Sequence, residues 1–103
     1  MDTHDPIMQE FANRAIKPGG VEMFTTSLAL EVVERCRALG LPILGIDAFF
    51  FSERGTQPSM EHSIDFSTQS EHTAGHGFWT EARQFLIDKA LLGALFEVVY
   101  KLP

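Results

Sequence analysis

The sequence has a single cysteine, Cys36, so it can form no internal disulfide. It also lacks a basic N-terminal segment followed by an apolar run, which is the pattern of a signal peptide. Its apolar stretches fall well short of the roughly 20 residues that span a bilayer. From these absences we expect a cytoplasmic protein that does not bind a membrane. The 103 residues suit one domain, with residues 1–19 as a loosely docked N-terminal helix.

Positive charge is scarce. Lysine and arginine number 8 against 14 aspartates and glutamates, which gives a formal net charge of −6. A surface that binds nucleic acid needs a basic footprint to neutralise phosphates, so we expect no nucleic-acid partner. An acidic chain suits a basic partner, although modest acidity also serves simply to keep a small protein soluble.

Familiar catalytic motifs are missing as well. No serine stands in a Gly-x-Ser-x-Gly elbow, and Cys36 is expected on the buried stripe of a helix, where a thiol is inert. His72 and His76 are four residues apart, but the glycines around them argue against a helix that would aim both at a metal. We therefore expect no catalytic residue, no metal and no cofactor. A small enzyme or metal-dependent hydrolase that uses His62, His72, His76 and Asp47 stays open as the alternative.

What is present is an apolar stretch, Leu41–Phe51, around which the rest of the chain is organised. It is short, follows Gly40 and ends in three aromatic residues, which favours the central strand of a small sheet. Alternation places the even positions on a wholly apolar core face and the odd positions on a second face that holds a carboxylate. The even set is Leu44, Ile46, Ala48 and Phe50, and the odd set is Ile43, Gly45, Asp47, Phe49 and Phe51.

Helical periodicity and turn residues place the other elements around this strand. Asp5 and Pro6 form a helix start signal, and Gly40 is a natural end for the second helix. The predicted order is helices over 5–16 and 28–39, strands over 43–51 and 60–67, a helix over 81–92 and a strand over 95–102, with a turn over 52–59 and a loop over 68–77. Thr80 is expected to cap the third helix. These elements predict an α+β fold in which a small, mainly antiparallel three-stranded sheet has two to three helices packed on one face.

The opposite face of that sheet is expected to collect acidic and aromatic side chains. In the second strand the alternating set Met60, His62, Ile64 and Phe66 should face the helices. The predicted partner-binding residues on the other face are Asp47, Phe49, Phe51, Glu61, Asp65 and Glu97. Apolar anchors surrounded by carboxylates suit a protein with a basic partner. A solvated sheet face with a few exposed apolar residues is the plainer interpretation.

The order of several short motifs adds a resemblance. These motifs are Gly20-Val-Glu22, a helix ending Ala38-Leu-Gly-Leu-Pro42, the strand Ile43-Leu-Gly-Ile-Asp47, the turn Gly55-Thr-Gln-Pro58 and a closing Phe96-Glu-Val-Val-Tyr100. In element order and in the Leu-Gly-x-Asp strand, residues 20–100 resemble the small α+β immunity proteins of bacterial polymorphic-toxin and contact-dependent growth inhibition systems.

The resemblance implies an antidote rather than an enzyme. Such a protein binds and blocks a cognate toxin domain made by the same cell and performs no catalysis. The acidity of this chain suits a toxin domain that is basic and nuclease-like. Immunity proteins differ in the surface they use, so the resemblance assigns no contact residue. A homodimeric interaction subunit that pairs through the phenylalanine-rich sheet face is the third interpretation.

Overall fold

The computed structural model describes residues 5–16, 22–52, 55–65 and 77–102. The described elements, in chain order, are α1 (Pro6–Phe11), a 3₁₀ turn (Ala12–Arg14), α2 (Thr26–Leu39), β1 (Ile43–Ser52), β2 (Gly55–Asp65), α3 (Gly77–Asp88), a second 3₁₀ turn (Ala90–Leu92) and β3 (Leu95–Tyr100). This order confirms the predicted one. Most of the loop predicted over 68–77 lies outside the described residues.

The three strands form one sheet in the order β2-β1-β3, and both pairings are antiparallel. The apolar stretch that begins at Leu41 therefore supplies the central strand, as predicted. Helices α2 and α3 lie against one face of this sheet, where Ile46 and Ala48 of β1 and Phe96 of β3 are completely buried. The α+β fold with helices packed on one face is confirmed.

Among the described helices, α2 contributes the largest number of buried core residues. Its apolar stripe is buried at four positions, Ala29, Val32, Val33 and Cys36. The Thr25 hydroxyl accepts a hydrogen bond from the Leu28 N–H at 3.4 Å, and Gly40 ends the helix in a left-handed conformation with φ of 74°. Both boundaries follow from cap residues that are visible in the sequence.

Helix α1 is docked on this core. The Asp5 carboxylate accepts hydrogen bonds from two backbone N–H groups of the first turn, each at 3.1 Å, which confirms the predicted cap. The side chains of Ile7 and Phe11 are buried, with exposed fractions of 0% and 1%. An ion pair of 2.9 Å between Arg35 and Glu10 joins α2 to α1 at the surface.

The hairpin between the first two strands is tighter than the sequence predicts. Residues 52–59 were expected to turn, but β1 continues to Ser52 and pairs there with Gly55, which opens β2. Gly55 has a φ of 101°, a conformation that a side chain would disfavour, so it can close a short turn. Pro58 lies within β2 opposite Phe49, which is tolerated because β2 is an edge strand and proline cannot donate to a ladder.

Helix α3 begins earlier than predicted. Thr80 was expected to cap a helix over 81–92, whereas α3 starts at Gly77 and ends at Asp88, so Thr80 lies inside it. Trp79 is half-buried and its indole N–H donates to the carbonyl oxygen of Leu41 at 3.0 Å. This contact holds the first turn of α3 against the start of β1, and no capping pattern in the sequence reports it.

A bulge corrects the predicted alternation of β1. Ile43 pairs with Tyr100 and Gly45 pairs with Val99, so Leu44 is an extra residue against β3. The extra residue reverses the alternation at this end of the strand. Ile43 is therefore completely buried in the core, and Leu44 is half-exposed. Their predicted places on the two faces were wrong.

A larger irregularity lies in β2. Ile46 pairs with Ile64 and Ala48 pairs with Ser59, so residues 60–63 all lie opposite Asp47. The backbone therefore leaves regular pairing over these four residues. Met60, predicted on the core face, is instead 87% exposed. Met60 leaves the core face because strand pairing is irregular over residues 60–63, and strict alternation along the sequence does not predict such an irregularity.

Candidate functional site

The face of the sheet opposite the helices is defined by cross-strand pairs. Asp47 of β1 is directly opposite Glu97 of β3, and Phe49 is opposite Leu95. Directly paired side chains project to the same face of a sheet. Asp47 and Glu97 are each adjacent in sequence to a buried residue, Ala48 and Phe96 respectively, so their side chains point to the opposite face from the core. We call this surface, made by Asp47, Phe49, Phe51, Asp65, Leu95, Glu97 and Val99, the open face.

The structure brings five of the six predicted partner-binding residues to the open face. Asp47, Phe49 and Glu97 are neighbours and half-exposed. Asp65 is exposed and pairs with Gly45 on the other side of β1. Phe51 is 66% exposed, two residues beyond Phe49 on the same strand.

Glu61, the sixth predicted residue, is placed differently. It lies in the irregular 60–63 segment of β2 and is exposed. Strict alternation from Asp65 therefore does not apply to it. Glu61 is therefore not assigned to the open face.

The two carboxylates of Asp47 and Glu97 dominate the electrostatics of the open face. Like charges directly opposite each other on neighbouring strands repel. The pKa of Glu97 is raised, first because the side chain is partly buried and second because Asp47 is close. Within the described part of the chain, neither carboxylate has a hydrogen bond or an ion pair with a cation. A positive group that arrived here would relieve an existing repulsion.

A groove runs beside this pair, between β1 and the irregular segment of β2. It has a volume of about 400 Å³. Its lining consists of Leu44, Gly45, Asp47, Met60, Ser63, Ile64, Asp65 and Val99. The lining is mostly apolar, with carboxylates contributed by two strands.

Ser63 fixes the shape of that groove. Its hydroxyl accepts a hydrogen bond from the Ala48 N–H at 2.9 Å and donates to the Ser59 carbonyl at 2.6 Å. The side chain therefore replaces a ladder bond that the irregular β2 backbone cannot make. Sequence reasoning missed Ser63, Leu44 and Met60, because their positions follow from interruptions of strand pairing.

A second concavity, about 410 Å³ in volume, lies at the outer edge of β3 beside α1. There the Tyr100 hydroxyl donates to both carboxylate oxygens of Asp5, at 3.0 and 2.9 Å. Burial and then this hydrogen bond raise the pKa of Tyr100, so the phenol stays protonated. The contact ties the last strand to the start of α1, which is a structural role.

Of the residues named for the alternative hydrolase, the structure describes His62 and Asp47. The ring of His62 packs edge-on against Phe50 at 5.9 Å, and its Nδ1 lies 3.2 Å from Nζ of Lys89. Phe50 packs on the core side, so His62 and Asp47 lie on opposite faces of the sheet. These two side chains therefore do not come together at one centre in the structure.

Two of the histidines, His72 and His76, lie outside the described residues. Among residues 5–16, 22–52, 55–65 and 77–102, no three histidine, cysteine, aspartate or glutamate side chains come together as metal ligands. Cys36 is completely buried on the α2 stripe, and burial, followed by the charge of Asp5, raises the pKa of its thiol to about 12. A buried, protonated thiol is a packing group, as the sequence predicts.

None of the helices in the described ranges is both long enough and apolar enough to cross a membrane. In comparisons with known proteins, no family model and no curated protein matches this chain.

Proposed function

We propose that this chain is an immunity-type binding protein that acts in the cytoplasm. It neutralises a cognate toxin domain by covering a basic surface of that domain with its open face. One observation carries the proposal: Asp47 and Glu97 lie side by side on the sheet face that α2 and α3 do not cover, with no cation paired to either among the described residues.

The composition of the open face supports binding. Phe49, Phe51 and Val99 supply apolar area, and burying such area at an interface gives most of the affinity. The carboxylates of Asp47, Asp65 and Glu97 supply a negative field that steers a positive partner and raises the association rate. A basic cleft in the partner, of the kind that binds nucleic acid in a nuclease, is complementary to this surface.

The proposed role is binding and requires no catalytic set. Of the residues that would serve the alternative hydrolase, His62 lies on the helix side of the sheet and Asp47 lies on the open face. Neutralisation needs only that the partner's cleft be occupied. The proposed protein therefore performs no reaction of its own.

The test is neutralisation of an identified partner. The full chain is used as bait in an extract of its native cell, and the captured protein is expressed alone and together with the chain. We expect the partner to arrest growth when expressed alone and growth to be restored by co-expression. A captured protein that is harmless in the cell would contradict the proposal.

The surface is tested with a pair of charge reversals. Asp47→Lys on the open face should abolish growth rescue. Glu81→Lys is the matched control, because it changes the net charge equally and Glu81 is exposed on α3, on the other side of the sheet. Rescue that survives Asp47→Lys, in a variant shown by circular dichroism to be folded, would place the toxin-binding surface elsewhere.

A further inference from the structure

One contact on the helix side of the sheet joins two ionisable side chains. The Nδ1 atom of His62, in the irregular segment of β2, lies 3.2 Å from Nζ of Lys89, the residue that directly follows α3. A lysine ammonium can only donate, so in this contact a neutral histidine ring accepts at Nδ1 and carries its own proton on Nε2. Both side chains are half-buried. The contact therefore links an edge strand to the end of a helix.

The groups around the His62 ring determine what a second proton on it would do. From β1, the uncharged ring of Phe50 packs edge-on against it. Its own strand contributes two acids, Glu61 and Asp65, and both are exposed, so water and salt screen their charges. From the end of α3, the charged group that faces it is Lys89. The nearest charge in the described part of the chain is therefore positive.

Lys89 has an acid beside it in sequence, but that acid is bonded elsewhere. The Asp88 carboxylate accepts a hydrogen bond from the side-chain amide of Gln84 at 2.8 Å. The Lys89 ammonium instead lies over the ring of Phe85, 5.8 Å from its centroid. Within the described ranges, no carboxylate forms an ion pair with this ammonium. Protonation of His62 would therefore set two positive groups against each other at hydrogen-bond distance.

We propose that His62 and Lys89 form a pH-dependent tether, which holds residues 60–63 to the end of α3 while the histidine ring is neutral and releases them when the ring is protonated. The protonated ring donates at both nitrogens, so Nδ1 loses the lone pair that accepts from Lys89. An ordinary imidazole takes up this proton between about pH 5 and about pH 8. The tether lies on the helix side of the sheet and needs no partner, so it is independent of the proposed function.

The segment that the tether holds forms one side of the groove. Met60 and Ser63 of this segment line it. On the sheet side the segment is fixed by the Ser63 hydroxyl, which accepts a hydrogen bond from the Ala48 N–H at 2.9 Å. The segment is therefore held at two places, and only the contact through His62 contains a group that titrates near neutral pH. Loss of that contact lets the segment move about Ser63 and changes the shape of the groove.

A double-mutant cycle on the full chain measures the tether. His62→Phe keeps an aromatic ring against Phe50 without the ring nitrogens, and Lys89→Met keeps the apolar stem without the charge. Urea unfolding of the wild type, both single variants and the double variant gives the coupling between the two residues. At about pH 8 we expect this coupling to favour the folded state about threefold in the equilibrium constant for unfolding. At about pH 5.5, where an ordinary histidine is charged, the coupling should disappear or change sign.

The matched control pairs His62→Phe with Lys101→Met, because Lys101 is an exposed lysine directly after β3. This pair should show no coupling at either pH. A coupling between His62 and Lys89 that is absent at the higher pH overturns the proposal, since the contact then does not contribute in solution. A coupling that is equally favourable at both pH values overturns it as well, since protonation then does not break the contact.

Two NMR measurements on the wild type do not depend on how well the variants fold. Nuclear Overhauser contacts between the His62 ring and the Lys89 side chain should be present at the higher pH and lost at the lower one. The hydrogen-exchange protection factor of the Ala48 amide, which is bonded to Ser63, should drop about threefold over the same range. Contacts that persist at the lower pH overturn the tether. Unchanged protection of Ala48 shows that the lysine side chain moves alone, and it overturns the release of residues 60–63.

Discussion

Gly45 lies in the central strand β1 and also lines the groove. A Cβ atom built on Gly45 would lie 2.8 Å from the carbonyl oxygen of Ile64. That oxygen belongs to the backbone of the neighbouring strand, so it cannot move aside as a flexible side chain would. An isolated glycine inside a strand commonly marks such a close approach.

Replacing this glycine should be costly. We expect Gly45→Ala to lower the free energy of unfolding by about 1–3 kcal/mol, the usual range for an overpacked interior. Met60→Ala at the groove rim, where the side chain is 87% exposed, should change it by less than about 0.5 kcal/mol. Urea unfolding measures both. An alanine variant as stable as the wild type would show that β1 and β2 can separate slightly without loss.

Cys36 makes stability sensitive to alkaline pH. Its folded-state pKa is about 12, above the ordinary value of 9.0, because the thiol is buried. The folded chain therefore retains a proton that the unfolded chain releases. The contribution is complete below pH 9 and is lost as pH rises towards 12, at up to about 1.4 kcal/mol per pH unit. The raised pKa of Tyr100 acts in the same direction at higher pH.

The measurement is urea unfolding at intervals from about pH 8 to about pH 10.5, the interval in which an ordinary thiol ionises. Cys36→Ala should be less stable than the wild type at the lowest pH because it leaves a cavity. Its stability should then fall less steeply between pH 9 and 10, since no thiol titrates. If the free energy of unfolding fell equally steeply with pH in both proteins, the thiol of Cys36 would not be the group responsible.

At the scale of elements, α1 is an integral part of the core. Two of its six residues are fully buried, and Asp5 at its start is bonded to Tyr100 at the end of the chain. The sequence predicted the helix from its cap and its periodicity. It could not predict the docking, because the partner of Asp5 is 95 residues away and no local pattern connects the two.

Two isoleucines test how firmly α1 is docked. Ile7→Ala should cost about 2–5 kcal/mol, since Ile7 is completely buried. Ile16→Ala is the matched control, with the same atoms removed from a side chain that is 39% exposed, and should cost less than about 1 kcal/mol. Thermal or urea unfolding gives both values. Equal small costs would mean that α1 contributes little to stability.

The whole molecule combines a net charge of −6 with an open face that is both acidic and apolar. Added salt should therefore weaken the binding of a basic partner to this face and favour the pairing of two copies of the chain through it. Screening slows the approach of a basic partner. It also weakens repulsion among Asp47, Asp65 and Glu97 when two copies of the chain bring their open faces together.

Sedimentation and binding kinetics at about 20 mM and about 500 mM salt measure this difference, since these conditions span weak and strong screening. We expect the chain to be monomeric at low salt, and any dimer to form only at high salt. The association rate with a basic partner protein should fall over the same range. A dimer that is most stable at low salt would show that self-association does not use this face.

The sequence by itself determined the fold class, because apolar periodicity, helix caps and a strand bounded by glycine and proline are local signals. It also placed Asp47, Phe49 and Glu97 on the open face, since regular alternation holds over that part of β1 and β3. Only the tertiary structure determined the position and the lining of the groove. The bulge at Leu44 and the irregular 60–63 segment depend on which backbone groups pair between strands, and that pairing is set by contacts between residues distant in the chain.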